Sequence, residues 1–175
     1  CIQKTHSDSI SYMHIWDIIF GEEKFEENFK KGKSPALFSY TDPKVKKVVF
    51  ALKRGSRTAA KIIAKHMEPH IPKDSVVIPI PSSRKRGFNQ CVLIAKHLPY
   101  PYQEVIHRLS TDTQKSLNRA SRLENKLWTS LSEPMKQRTF VIIDDVTTTG
   151  ATLQQAKRVL LTAGAKNVII LAFAH

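Results

Sequence analysis

Two apolar runs stand out along the chain because neither alternates with polar residues. Ser75 to Ile80 and Thr139 to Ile143 are continuous stretches rich in branched apolar side chains, the pattern of strands that a parallel sheet buries on both faces. Shorter apolar runs predict strands over Ala36 to Tyr40, Gln103 to Arg108 and Asn167 to Phe173. Between them the period changes. Val45, Val48, Val49 and Leu52 recur at helical spacing after Thr41-Asp42-Pro43, a start signal with Pro in the first turn. Arg54-Gly55-Ser56 breaks that helix, and Thr58 to Met67 resumes with Ala59, Ile62, Ile63 and Met67 on one side. Further helices are predicted from Phe88 to Leu98, ended by Pro99 to Pro101, and after Thr152 from Leu153 to Ala163, closed by Gly164. Strands alternating with helices predict an α/β fold: a doubly wound, mostly parallel sheet with helices on both faces.

Two stretches lack a clean period. Residues 1–33 hold Ile10, Tyr12, Ile15, Trp16, Ile18, Ile19 and Phe20 without helical or strand spacing, then a charged stretch from Glu22 to Lys33. They read as an N-terminal accessory segment ahead of a main domain over residues 34–175. Leu109 to Met135 is polar and basic. Its length predicts a functional loop, with a short helix around Ser121 to Leu127.

In a doubly wound sheet ligands bind beyond the C-terminal ends of the strands. That rule brings Pro81–Gln90 and Asp144–Thr152 to one rim. The second segment is the richer one. Its strand delivers Asp144 and Asp145, followed by Val146-Thr147-Thr148-Thr149-Gly150-Ala151-Thr152 and a helix. Paired carboxylates can accept hydrogen bonds from vicinal ribose hydroxyls. A hydroxyl- and glycine-rich loop at a helix N-terminus can offer N–H groups to a phosphate. The structural alternative is a buried strand with threonines capping a helix. Two side-by-side carboxylates repel, and three β-branched threonines are poor turn material, so the sugar-phosphate reading is preferred. Asn89, just before an apolar run, suits a helix cap.

Composition narrows the partners. A chain of 175 residues can bury a real core. No apolar run reaches the ~18 residues of a membrane span. Cys1 and Cys91 are too far apart for a CxxC pair, so neither a disulfide framework nor a metal cluster is predicted, and Cys91 reads as a small core residue. His66 and His70 read as surface or cap residues. With a polar start that lacks a signal-peptide pattern, the expected compartment is the cytoplasm. The net charge is +13, and it is unevenly spread. Residues 1–33 hold 5 Lys against 6 Asp+Glu, which leaves 23 Lys+Arg against 9 Asp+Glu in residues 34–175. Such a domain attracts polyanions: sugar phosphates, nucleotides or nucleic acid.

The run Val141 to Thr152 resembles the phosphoribosyl pyrophosphate (PRPP) fingerprint of type I phosphoribosyltransferases. Val76-Val77-Ile78-Pro79-Ile80-Pro81, followed by Ser82-Ser83-Arg84-Lys85-Arg86-Gly87-Phe88-Asn89-Gln90, is similar to the competence protein F (ComF) family. Gln114, Leu117, Arg119 or Arg122, and Asn125 resemble a weaker third signature of that family. The resemblance covers Pro35 to His175. It implies a type I phosphoribosyltransferase sheet with a hood-like N-terminal segment. It assigns Asp144 and Asp145 as the catalytic pair, holding the ribose hydroxyls or Mg²⁺. Thr147, Thr148, Thr149, Gly150, Ala151 and Thr152 would hold the 5′-phosphate. Ser82, Ser83, Arg84, Lys85, Arg86 and Gly87 would hold the pyrophosphate, and Gln114, Lys115, Arg119 and Arg122 would lie on a loop closing over the site. The acidic position of 6-oxopurine enzymes falls on Thr148 and their lysine on Ala151, which disfavours that specificity. The implied activity is phosphoribosyl transfer to an unidentified acceptor with a role in DNA uptake. The alternatives are a non-catalytic single-stranded-DNA-binding competence module, a PRPP-sensing regulator, and an orotate- or adenine-like salvage enzyme. Single-stranded DNA and competence-machinery proteins are the implied partners. The oligomeric state stays open.

Overall fold

The computed structural model describes residues 35–82, 87–108, 127–132 and 138–175. In chain order these form β1 (Ala36–Phe38), α1 (Pro43–Lys53), α2 (Arg57–Met67), a single 3₁₀ turn (Glu68–His70), β2 (Ser75–Pro79), α3 (Gln90–Ala95), β3 (Ile106–Arg108), β4 (Leu127–Thr129), β5 (Thr139–Val146), α4 (Ala151–Thr162) and β6 (Asn167–Ala174). Four strands make one parallel sheet in the order β1-β6-β5-β2. β3 and β4 form a separate antiparallel pair. The accessory segment and the short helix expected before Leu127 fall outside the described residues. Leu127 itself is strand, not helix: it pairs with Arg108 and its side chain is buried.

The two-residue period of the strands divides the core in two. On one face Val77, Val141, Ile143, Leu171 and Phe173 pack under α1, α2 and α3. On the other, Val76, Ile78, Phe140, Ile142 and Val168 pack under α4, joined by Ile106 and Leu127 from the small hairpin. The expected doubly wound architecture with helices on both faces is what the chain adopts. Phe140 and Phe173 are fully buried, each contributing on the order of 3 kcal/mol from apolar area alone.

The boundaries follow from caps and pairing. Asp42 caps α1 by accepting from the Lys44 N–H at 2.7 Å. Ser56 caps α2 through the Ala59 N–H, after Gly55 turns the chain at φ 87°. α3 is shorter than the expected Phe88–Leu98, because Asn89 is its cap: Asn89 Oδ1 accepts from the Cys91 N–H at 2.9 Å while Nδ2 donates to the Ile80 carbonyl. β5 runs three residues past Ile143. Asp144 and Val146 stay in register with Ala172 and Ala174 of β6, so the acids sit on the sheet itself rather than in a loop.

Candidate functional site

Alternation along β5 sends its two acids to opposite faces. Asp145 follows Ile143 toward α1 and is 3% exposed. Lys53, the last residue of α1, brings Nζ to 3.5 Å from Asp145 Oδ2, although that oxygen has no hydrogen-bond partner among the described residues. Gln90 Nε2 makes a long 3.5 Å bond to Asp145 Oδ1. Asp144 follows Ile142 to the other face. Its Oδ1 accepts from the Asp145 N–H at 2.8 Å and lies 3.7 Å from Cys91 Sγ. Burial first, and the neighbouring Asp145 charge second, push the Asp144 carboxyl up to about 8. Burial likewise raises the Cys91 thiol well above its usual range, so the sulfur stays protonated. The sulfur and the two carboxylates lie within 4.8 Å of one another. Only the carboxylates are suited to a metal there: a protonated thiol is a poor ligand, and oxygens select a hard cation.

Beyond the acids opens a cavity of about 610 Å³. Its floor is Asp144, Asp145 and Val146; one wall is Thr148 and Thr152, and another is Ile80, Pro81 and Ser82. Tyr40, Phe50, Lys53 and Arg54 form the α1 side, and Gln90 and Arg108 complete it. Arg108 Nε donates to the carbonyls of Pro81 and Ser82, both at 3.2 Å, and so anchors the segment that leaves β2. Burial lowers the Arg108 pKa from its usual value, partly offset by Asp144.

The loop after β5 is not uniform. Thr147 is buried and its N–H donates to the Ala174 carbonyl at 2.9 Å, so it continues the ladder and has no N–H to offer an anion. Thr148 and Thr149 are exposed. Gly150 caps α4 at φ 71°, a left-handed conformation that disfavours a side chain. Thr149 Oγ1 accepts from the Ala151 N–H at 3.4 Å. Of the six residues expected around a 5′-phosphate, Thr148 and Thr152 line the cavity; Thr147 does not. Of the pyrophosphate residues Ser82 lines it, Gly87 is exposed outside it, and Ser83, Arg84, Lys85 and Arg86 lie outside the described residues. So do Gln114, Lys115, Arg119 and Arg122.

The profile of the phosphoribosyl transferase domain matches residues 32–175. The chain belongs to that family. Among curated proteins, this phosphoribosyltransferase domain is 35% identical over 97 residues to competence protein ComFC of Bacillus subtilis, covering 53% of this chain and 40% of that protein. It is 34% identical over 107 residues to the DNA utilization protein YhgH of Escherichia coli K12, covering 56% and 47%. The domain is thus similar to ComFC and YhgH, and it spans about half the length of these relatives. Among solved structures, glutamine PRPP amidotransferase from B. subtilis matches with a TM-score of 0.51 at 20% identity, over 66% of this chain and 26% of that one. That likeness shows the shared type I phosphoribosyltransferase fold. No helix of the described residues is long and apolar enough to cross a membrane.

Several cavity residues of this phosphoribosyltransferase domain escape a reading by motif. Lys53 and Arg54 look like the other basic residues of a surface helix, and Arg108 like the end of a strand. Asn89 is the cap its place before an apolar run predicts, whereas Gln90 faces Asp145. The basic pair Lys53-Arg54, at the break before Gly55-Ser56, is the one available signal for the α1 side.

Proposed function

We propose that the domain binds PRPP, or the ribose 5-phosphate part of a nucleotide, with Mg²⁺, and transfers phosphoribosyl to a nitrogenous acceptor with release of pyrophosphate. The surrounding protein would be a cytoplasmic ComF-type factor in DNA uptake. The observation that carries this reading is the cavity at the C-terminal end of β5. It joins two carboxylates, a threonine-rich helix N-terminus and three cationic side chains in one space of about 610 Å³. That combination matches a phosphorylated, polyhydroxylated, strongly anionic ligand.

In this reading the 5′-phosphate meets Thr148, Thr152 and the first turn of α4. N–H groups there have no intrahelical partner, and the helix dipole favours negative charge. The ribose hydroxyls donate to Asp144 and Asp145. Ser82 and the segment anchored by Arg108 face the pyrophosphate. The oxygens of the two acids would hold Mg²⁺, which would neutralise pyrophosphate charge when bound. As the C1–O bond to pyrophosphate breaks ahead of C1–N bond formation, positive charge builds transiently on the ribose ring; the electron pair leaves with pyrophosphate, and the acceptor nitrogen releases its proton to solvent. Asp145, and Asp144 once a bound cation has displaced its proton, oppose this charge beside the ring without reorganising. Calorimetry with PRPP and Mg²⁺ tests the reading. Saturable binding in the wild type that Asp144→Asn with Asp145→Asn abolishes is expected; absence of binding at millimolar PRPP would remove it.

A second reading has its own observation. From Pro43 to Met67 the chain has no acidic residue, and Lys46, Lys47, Arg54, Arg57, Lys61 and Lys65 are exposed. The spacing of Arg57, Lys61 and Lys65 sets like charges four apart on α2, costing roughly 0.2–0.5 kcal/mol per pair. A face that keeps such repulsion suits a polyanion, in line with relatives named for competence and DNA utilization. Single-stranded DNA binding whose log–log salt slope is near zero would dismiss it.

A further inference from the structure

We propose that Lys53 is a resident counter-ion of Asp145 that a divalent metal displaces, and that the displaced ammonium then holds an anionic group of the ligand in the same cavity. The second half rests on the reading that this cavity takes a phosphorylated ribose.

Asp145 is 3% exposed, and a carboxylate that deep needs a compensating charge. Lys53 supplies it in a loose form. Nζ lies 3.5 Å from Oδ2, yet that oxygen accepts no hydrogen bond from the described residues. The contact is Coulombic, without the short directed bonds of a locked pair. The lysine also has somewhere to go. Its side chain is 29% exposed, lines the cavity, and holds Nζ 5.9 Å from the centroid of the Tyr40 ring, within range of a cation–π contact. A four-carbon stem on the last residue of a helix can swing without moving the backbone.

Charge and distance decide which cation prefers Asp145. A divalent ion at about 2.1 Å from a carboxylate oxygen gains about three times the Coulomb energy of a monocation at the observed separation, before desolvation. The ammonium has three donors and no acceptor; among the described residues lining the cavity the only acids are Asp144 and Asp145, beside Arg54 and Arg108, so once a metal takes those acids the released ammonium is matched by an anionic group of the ligand. Metal and anionic ligand would then bind cooperatively through one side chain. The competing description is a fixed strut tying α1 to β5.

Titration of the full chain with Mn²⁺ alone, read by electron paramagnetic resonance of the free ion, separates the two. Lys53→Met removes the competitor and should bind Mn²⁺ about fivefold or more tightly, whereas Lys53→Arg should match the wild type. A strut predicts unchanged or weaker Mn²⁺ binding in folded Lys53→Met, and that result overturns the proposal. A measurement on the wild type does not depend on any variant folding. The acetylation rate of Lys53 by a small amine-reactive reagent, followed by peptide mass spectrometry, should rise when Mn²⁺ binds and fall when PRPP is added. An unchanged rate with Mn²⁺ bound overturns displacement. Unchanged PRPP affinity in Lys53→Met overturns the ligand-holding half. If PRPP fails to bind the wild type while Mn²⁺ still releases Lys53, the phosphoribose reading falls and the counter-ion exchange stands.

Discussion

Two adjacent carboxylates on one strand meet two different halves of this molecule. Asp145 turns to the face covered by α1 and meets a lysine. Asp144 turns to the face covered by α4 and meets a buried thiol and its own neighbour's amide. One acid is balanced by a cation; burial pushes the other up to about 8, leaving it largely protonated at neutral pH. The repulsion expected from an Asp-Asp pair is thereby relieved without losing either carboxyl group. Equal residue types one step apart acquire unequal chemistry because a strand has a period of two.

Removing both acids breaks the comparison most severely. Asp144→Asn with Asp145→Asn should weaken binding of PRPP with Mg²⁺ by about 100-fold or more, since each bond to a charged group is worth about 1.5–3 kcal/mol; calorimetry reads it. The single variants sharpen the contrast. Asp145→Asn strands Lys53 and should cost about 1–2 kcal/mol, reduced from a fully buried pair because the lysine can reach water. Asp144→Asn should cost little at about pH 6, where the native group is already neutral. Urea unfolding of both variants measures the difference.

The pH dependence follows with a definite sign. The folded protein keeps the Asp144 proton between 3.8 and about 8, where the unfolded chain has released it. Folded binds more protons than unfolded in that window, so this group's contribution is fullest below it and is lost as pH rises through about 8. Wild-type stability should therefore drop between about pH 4 and about pH 8 relative to Asp144→Asn, and level off above that. Parallel pH profiles for the two proteins would show that Asp144 is not the buried acid described.

Smaller effects test the loop beyond the strand. Gly150→Ala forces a side chain into a left-handed conformation and should cost about 1–2 kcal/mol in unfolding experiments. Thr148→Val removes a cavity hydroxyl and should weaken PRPP binding by roughly 3- to 10-fold, the worth of one hydrogen bond. Thr149→Val, whose hydroxyl meets the Ala151 N–H instead, should change that affinity less.

Much of the fold was legible because burial writes a period into the chain. The uninterrupted run from Ser75 and the spacing of Val45, Val48, Val49 and Leu52 predicted β2 and α1 correctly, since those residues fill the two cores. The ends were less legible. The apolar run stops at Ile143, yet pairing with β6 carries the strand on through Asp144 and Asp145. Hydrogen bonds of a ladder are made by the backbone and do not depend on an apolar side chain. In the site, Asp144, Asp145, Thr148, Thr152 and Ser82 were identified as candidates, and the cavity gathers them. Thr147 was expected there too, but its N–H is already used in pairing.

The chain's own order of residues determined the α/β architecture, the family and the rim on which the carboxylates emerge. All of these depend on local periodicity or on contiguous motifs. Only the folded structure decided that Lys53 faces Asp145, that Arg108 anchors the segment after β2, and that one carboxylate is paired while the other is held neutral. Those contacts join residues 26 to 92 positions apart. Charge and protonation depend on distance and burial in space, which no local pattern encodes.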